Sequence, residues 1–174
     1  MAERTKLWIA DKMKELIKTK SIEQIRISEI CNLAEIERST FYYHFKDKYD
    51  LVAWIFYNSI ANVAITDIQA ASEQMQRMKE DVIFYRRAFE DTSQNALWRY
   101  MVEYFAGAYT SMVETVLQPK APDEQLLFSI RLYCYGMIGM AREWFLQDNG
   151  VPAEEVVKNM YGSMPEKLYK VCFS

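Results

Sequence analysis

Glycine and proline are scarce in this chain, five and four in 174 residues. A protein made of β-hairpins would need more of both for its turns. Long helices joined by short connections remain, and the expected fold class is all-α. Histidine is scarcer still, since His44 stands alone. With no GxGxxG, P-loop, HExxH or serine-nucleophile motif, the sequence lacks the convergent groups that catalysis needs. The reading is that the chain is not an enzyme and has no cofactor and no metal site. Cys31, Cys134 and Cys172 are far apart, and none forms a CxxC pair. That spacing speaks against a disulfide scaffold or a zinc site and for reduced thiols in a cytoplasm. The longest uncharged run, 51–66, is interrupted by Asn58, Ser59 and Asn62, and falls short of the roughly 20 apolar residues of a membrane helix. Charges run through MAERTKLWIADKMKEL, where an export signal would have an apolar core. A soluble cytoplasmic protein with no membrane partner is expected.

Hydrophobic residues, by contrast, make up 51% of the chain, enough for a substantial core in one domain or in a small domain joined to a larger one. Over 4–20, Ile9, Met13, Leu16 and Ile17 form one apolar stripe beside Lys12, Lys14 and Lys18, predicting a first helix. A second, at about 27–33, turns Ile27, Ile30, Cys31 and Ala34 inward. Only Glu35-Ile36-Glu37 separates it from a third, at about 38–44. Two short helices joined so briefly cross steeply, as in a helix-turn-helix unit.

The third helix carries STFYYHF, followed by KDK. Phe41 and Phe45 are i, i+4 neighbours suited to the buried face. Ser39, Thr40, Tyr42, Tyr43 and His44 point elsewhere, and their hydroxyls and imidazole suit the phosphates and base edges of a DNA duplex. Lys46 and Lys48 follow as charges for the backbone. Residues 1–50 hold ten basic and nine acidic side chains, and the chain as a whole carries −3. Net charge therefore does not draw this protein to DNA, and the basic groups must be focused on one face.

The order of short helix, turn, RSTFYYHF and KDKYDL closely resembles the DNA-binding region of the TetR family of bacterial transcription regulators, over about residues 5–57. The resemblance implies Ser39, Thr40, Tyr42, Tyr43 and His44 on a recognition helix, with Arg38 at its start and Lys46 just after it. It also implies a phosphate held by Lys48, and backbone contacts from Arg26 and Ser28. Glu35 stands where the family often has glycine, and Glu37 where a small capping residue is usual. A left-handed glutamate costs about 1 kcal/mol relative to glycine, and the charge of Glu37 beside the DNA can weaken or tune binding.

The expected domains are 1–50, for DNA, and 51–174, for effector binding and dimerisation. In the second, helices are predicted over about 48–70, 73–91, 95–117 and 123–148. A last one starts at Asn149-Gly150-Val151-Pro152, with Pro152 in its first turn, and is kinked by Pro165. Phe84, Tyr85, Phe89, Trp98, Tyr104, Phe105 and Tyr133, with Tyr100 and Tyr109, can line an apolar cavity or be plain core. The resemblance implies an effector site among these helices. Leu132 to Ala141 is uncharged, and Gly136 and Gly139 admit a close neighbour. Gly136, Gly139, Met140, Met160, Met164 and Leu168 are the expected contacts of a homodimer, which would read a palindromic operator. The segment YGMIGMAREWFLQDNGVPAEEV also looks like a subgroup that includes activators of dihydroxyacetone-kinase operons, some of which work through a protein partner instead of a free metabolite. The expected partners are thus operator DNA, a second copy, and a small-molecule effector or a protein. Family base rates favour repression.

Overall fold

A computed structural model describes residues 2–61, 63–147 and 150–173. These form ten helices and no strand: α1 (Ala2–Ile17), α2 (Ile27–Ala34), α3 (Arg38–His44), α4 (Lys48–Ile60), α5 (Ile68–Glu80), α6 (Val82–Glu90), α7 (Leu97–Leu117), α8 (Glu124–Leu146), α9 (Ala153–Gly162) and α10 (Glu166–Phe173). The all-α expectation holds for the described residues. None of these helices is long and apolar enough to cross a membrane.

The apolar stripe of α1 does what its spacing predicts. Ile9, Met13 and Ile17 are fully buried, with Ile22, Ile25, Ile30, Phe41, Phe45 and Leu51 in the same core. Helix α1 also packs on α4 and α6, where Lys14 pairs with Asp81. In the second half, α7 and α8 form the longest helix pair, α6 and α10 pack on it, and α5 lies along α9.

Four predicted boundaries move. The helix expected over 48–70 stops at Ile60, because Asp67 accepts from the Ala70 N–H (2.9 Å) and starts a new helix there. The helix expected over 73–91 is two, parted at Asp81, whose backbone leaves helical geometry (φ −98°, ψ 32°) while its carboxylate meets Lys14. Pro165 breaks the last helix instead of kinking it: α9 ends at Gly162 and α10 begins at Glu166. A proline has no N–H to continue the ladder. Pro152 is the residue before the first turn of α9, not within it. The expected end of α8 at 148 and the expected start at Asn149 lie outside the described residues.

Candidate nucleic-acid interface and apolar cavity

The turn between α2 and α3 depends on one residue. Glu35 sits in the left-handed region (φ 53°, ψ 44°), and this lets the Ile36 N–H reach back to the Cys31 carbonyl (3.0 Å). The neighbouring Ala34 carbonyl accepts from Trp8 Nε1 at 2.9 Å. A carbonyl left over at the end of α2 is thereby satisfied from α1. Glu37 precedes α3 without a side-chain cap, and its carbonyl accepts from the Thr40 N–H (3.0 Å).

Helix α3 divides as its sequence predicts. Phe41 is wholly buried and Phe45 nearly so, while Tyr43 is 80% and Tyr42 49% exposed. Arg38, Ser39 and Lys46 are exposed too, and Thr40 and His44 are half-buried. Tyr43 and His44 meet edge to face, 4.9 Å between centroids. Arg26 and Ser28 flank the start of α2, where the Arg26 N–H donates to Glu29 Oε2 (2.9 Å). Lys20 also bonds this carboxyl, and with the backbone N–H holds it below the usual glutamate range.

Lys48 is more engaged than a free phosphate clamp would be. Its Nζ donates to the Glu23 and Ile25 carbonyls at 2.7 and 2.8 Å, tying the start of α4 to the connection between α1 and α2. Burial pushes its pKa down. An ammonium has three donors, so one remains for an outside acceptor. Asp47 caps α4 through the Tyr49 and Asp50 N–H groups, both at 2.8 Å.

Behind α4 lies a cavity of about 100 Å³. Phe56 and Ile60 of α4, Val63 and Ile65 of the following connection, and residues of α5, α7, α8 and α9 line it. Six aromatics (Phe56, Tyr104, Phe105, Tyr109, Phe145 and Tyr161) and five methionines (Met75, Met78, Met101, Met137 and Met160) make most of the wall, with Gln74. The Tyr161 hydroxyl donates to the Ile65 carbonyl (2.6 Å), holding the α4–α5 connection onto α9. Burial raises the phenol of Tyr161 to about 12 and that of Tyr109 still further.

Of the aromatics expected at a cavity, Tyr104 and Phe105 line it, as does Tyr109. Phe84, Tyr85 and Phe89 are instead buried where α6 meets α8, with Tyr85 and Phe89 each 5.4 Å from Phe145 between centroids. The Tyr85 hydroxyl sits 3.1 Å from Ser59 Oγ, and its pKa is raised by burial to about 12. Trp98 faces Tyr135 near the surface, under the Arg99 guanidinium. Tyr133 is tied to α9 through the Met160 carbonyl (2.9 Å). The backbone of Tyr100 accepts from Tyr57. Sequence reasoning did not find the methionines, Gln74, Phe56 or Tyr161. Ten methionines in the composition were the available signal, but their grouping comes from four helices distant in sequence.

The six residues expected at a subunit interface separate into two groups. Gly136, Gly139 and Met140 lie on an exposed face of α8 with Phe128 (69%) and Leu132 (62%), and nothing stands within 4 Å of where either glycine would carry a Cβ. Met164 and Leu168 are buried by their own subunit, and Met160 is half-buried at the cavity. Intrachain packing has used those three.

Residues 9–55 match the family described as "Bacterial regulatory proteins, tetR family". Residues 68–165 match the one described as "Transcriptional regulator C-terminal region". A relative, the HTH-type dhaKLM operon transcriptional activator DhaS of Lactococcus lactis subsp. lactis (strain IL1403), is 31% identical over 87 residues, 47% of this chain and 46% of the relative. The chain thus spans about half the length of the curated relative it matches. A solved structure described as "Dihydroxyacetone kinase operon activator DhaS" gives a TM-score of 0.59 at 20% identity, covering 94% of this chain and 96% of that one. At that identity the likeness is one of fold.

Proposed function

The chain belongs to the TetR family of bacterial transcriptional regulators, and from that premise we propose that it is a homodimer that binds a palindromic operator under the control of its C-terminal helices. In this reading residues 1–50 form the DNA-binding domain and 51–174 the sensing and dimerising one. The observation that carries it is α3, where Phe41 and the capping Phe45 are buried while Arg38, Ser39, Tyr42 and Tyr43 face outward. Arg26, Ser28, Lys46 and the remaining N–H of Lys48 contact the phosphates, and Thr40 and His44 lie beside the bases. The face of Phe128, Leu132, Gly136, Gly139 and Met140 on α8 is the subunit contact, since a second α8 approaches closely where glycine leaves room. Two recognition helices then address two half-sites. The cavity takes the effector, because Phe56 and Ile60 place its wall on the helix that begins at Lys48.

The relative is described as an activator of a dhaKLM operon, which favours activation here over repression and supplies a first target. The test is binding of the purified protein to DNA upstream of its own gene and of any dihydroxyacetone kinase operon in the same genome, at several salt concentrations. Site-specific binding with a steep salt dependence, weakened by Tyr42→Ala and His44→Ala in folded protein, supports the reading. No preference over random DNA overturns it.

A second reading is a TetR-fold interaction module with weak DNA binding that acts through a protein partner. Glu35 and Glu37 favour it, both exposed beside the start of α3, where a phosphate would meet two carboxylates.

A further inference from the structure

The cavity wall names a class of ligand. It consists of aromatic rings, thioethers and aliphatic groups, and no lining side chain is charged. An anion or cation would lose its hydration there without a counter-charge. A polyol would do little better: of the three lining phenols, Tyr161 is committed to the Ile65 carbonyl, Tyr109 is buried against the Tyr133 ring, 5.9 Å between centroids, and Tyr104 packs among the rings of Phe56, Tyr57 and Phe105.

Gln74 is the exception. It is 7% exposed, and its Oε1 accepts from Arg77 Nε and Nη2 at 3.1 and 2.9 Å. A guanidinium only donates, which fixes the oxygen of the carboxamide toward Arg77 and leaves the nitrogen as the other end. Among the described residues that nitrogen makes no hydrogen bond. Among the described residues no buried side-chain nitrogen or oxygen lacks a partner, so this nitrogen is not sealed in and stands open to an incoming acceptor. Two bonds from a cation also polarise the carboxamide and make its N–H groups better donors.

Size narrows the class further. A void of about 150 Å³ holds benzene, and this one is about 100 Å³. Five of its lining side chains are unbranched methionines, which change rotamer at little cost and let the wall fit one ring.

We propose that the cavity binds a small, uncharged, mainly apolar molecule of about one ring, whose single hydrogen-bond acceptor is met by the Gln74 amide nitrogen. This deepens the reading of the C-terminal helices as the sensor and rests on it. Benzonitrile and ethynylbenzene make a matched pair of probes, with the same shape and with or without an acceptor nitrogen, and glycerol serves as a polyol of similar reach. Calorimetric titration into the full-length protein is expected to show benzonitrile binding roughly five- to tenfold more tightly than ethynylbenzene, with no binding of glycerol. Gln74→Met keeps the volume and removes the donor, so it should abolish the preference while ethynylbenzene still binds. Ala141→Leu, which fills the void, should weaken both probes.

Equal binding of the two aromatics by wild type, a preference that survives in Gln74→Met, or stronger binding of glycerol overturns the proposal. So does absence of binding by protein that still binds its operator, which leaves the DNA-binding reading standing. Benzonitrile binding with the stated preference but no change in operator affinity upholds the ligand class and removes only the regulatory role of the cavity.

Discussion

Two aromatic-rich regions of this protein are built on opposite plans. At the end of α3 and the residue that caps it, five positions hold four aromatics and a histidine, with Phe41 and Phe45 turned inward while Tyr42 and Tyr43 stay at the surface. Around the cavity, rings from α4, α7, α8 and α9 are gathered from positions more than 100 residues apart, and all face the interior. The first region concentrates unlike surroundings within two helical turns, so the fate of a side chain depends on its position along one helix. The second gives similar surroundings to side chains from many helices, so its properties depend on what the walls jointly lack. In the proposed reading, specificity in α3 comes from exposed polar edges, and in the cavity from the one amide of its wall.

Deleting a buried ring should give the largest effect, and by a similar amount in either region. Phe41→Ala and Phe145→Ala are each expected to lose about 3–5 kcal/mol in urea unfolding. A loss below 1 kcal/mol for Phe41 would mean that α3 is not anchored by its inner face, and the contrast within that helix would collapse.

Alkali should act on the interior aromatics. The phenols of Tyr85 and Tyr161 are raised by burial to about 12 from a usual value of 10. The folded state holds these protons where the unfolded chain releases them, so their contribution is complete below pH 10 and is lost as pH rises to about 12. Each group contributes up to about 2–3 kcal/mol. Unfolding midpoints should fall over this window, and Tyr85→Phe should make the fall shallower. A flat profile would show that these phenols are better hydrated than their burial implies.

At the outer face of α3 the effect should move from stability to binding. Tyr43→Ala is expected to leave urea stability within about 0.5 kcal/mol while weakening operator binding by roughly tenfold, read by fluorescence anisotropy. A stability loss of the Phe41 kind would erase the distinction between the two faces.

The smallest effect belongs to the turn. Glu35→Gly relieves the left-handed backbone and should raise the melting temperature by the equivalent of about 1 kcal/mol. Removing its charge should also raise, slightly, the salt needed to dissociate DNA.

The two plans differ in how far the sequence discloses them. The limits of α3 and the inward turn of Phe41 and Phe45 follow from neighbours three and four positions away, so periodicity suffices. The same holds for Ile9, Met13 and Ile17 of α1. The end of α4 at Ile60 was not legible, because the connection after it is held by a tyrosine 96 residues further on. The division at Asp81 was hidden likewise, since Lys14 lies 67 residues away. Helical spacing shows that Phe84, Tyr85 and Phe89 are inside, but whether a buried ring meets a void or another ring depends on the partner helix. The fates of Met164 and Leu168 were open for the same reason, since a stripe does not say which helix covers it.

The hydrogen bond from Trp8 to the Ala34 carbonyl bears on how this protein can be re-engineered. The angle between α2 and α3 is set partly from outside the two helices, by a residue some 20 positions before α2 begins. Moving the segment 27–44 alone into another regulator would leave the Ala34 carbonyl without its donor and the turn at Glu35 with only its own backbone bonds to Asn32 and Cys31. A chimera meant to keep the geometry of this helix pair has to take α1 along with α2 and α3.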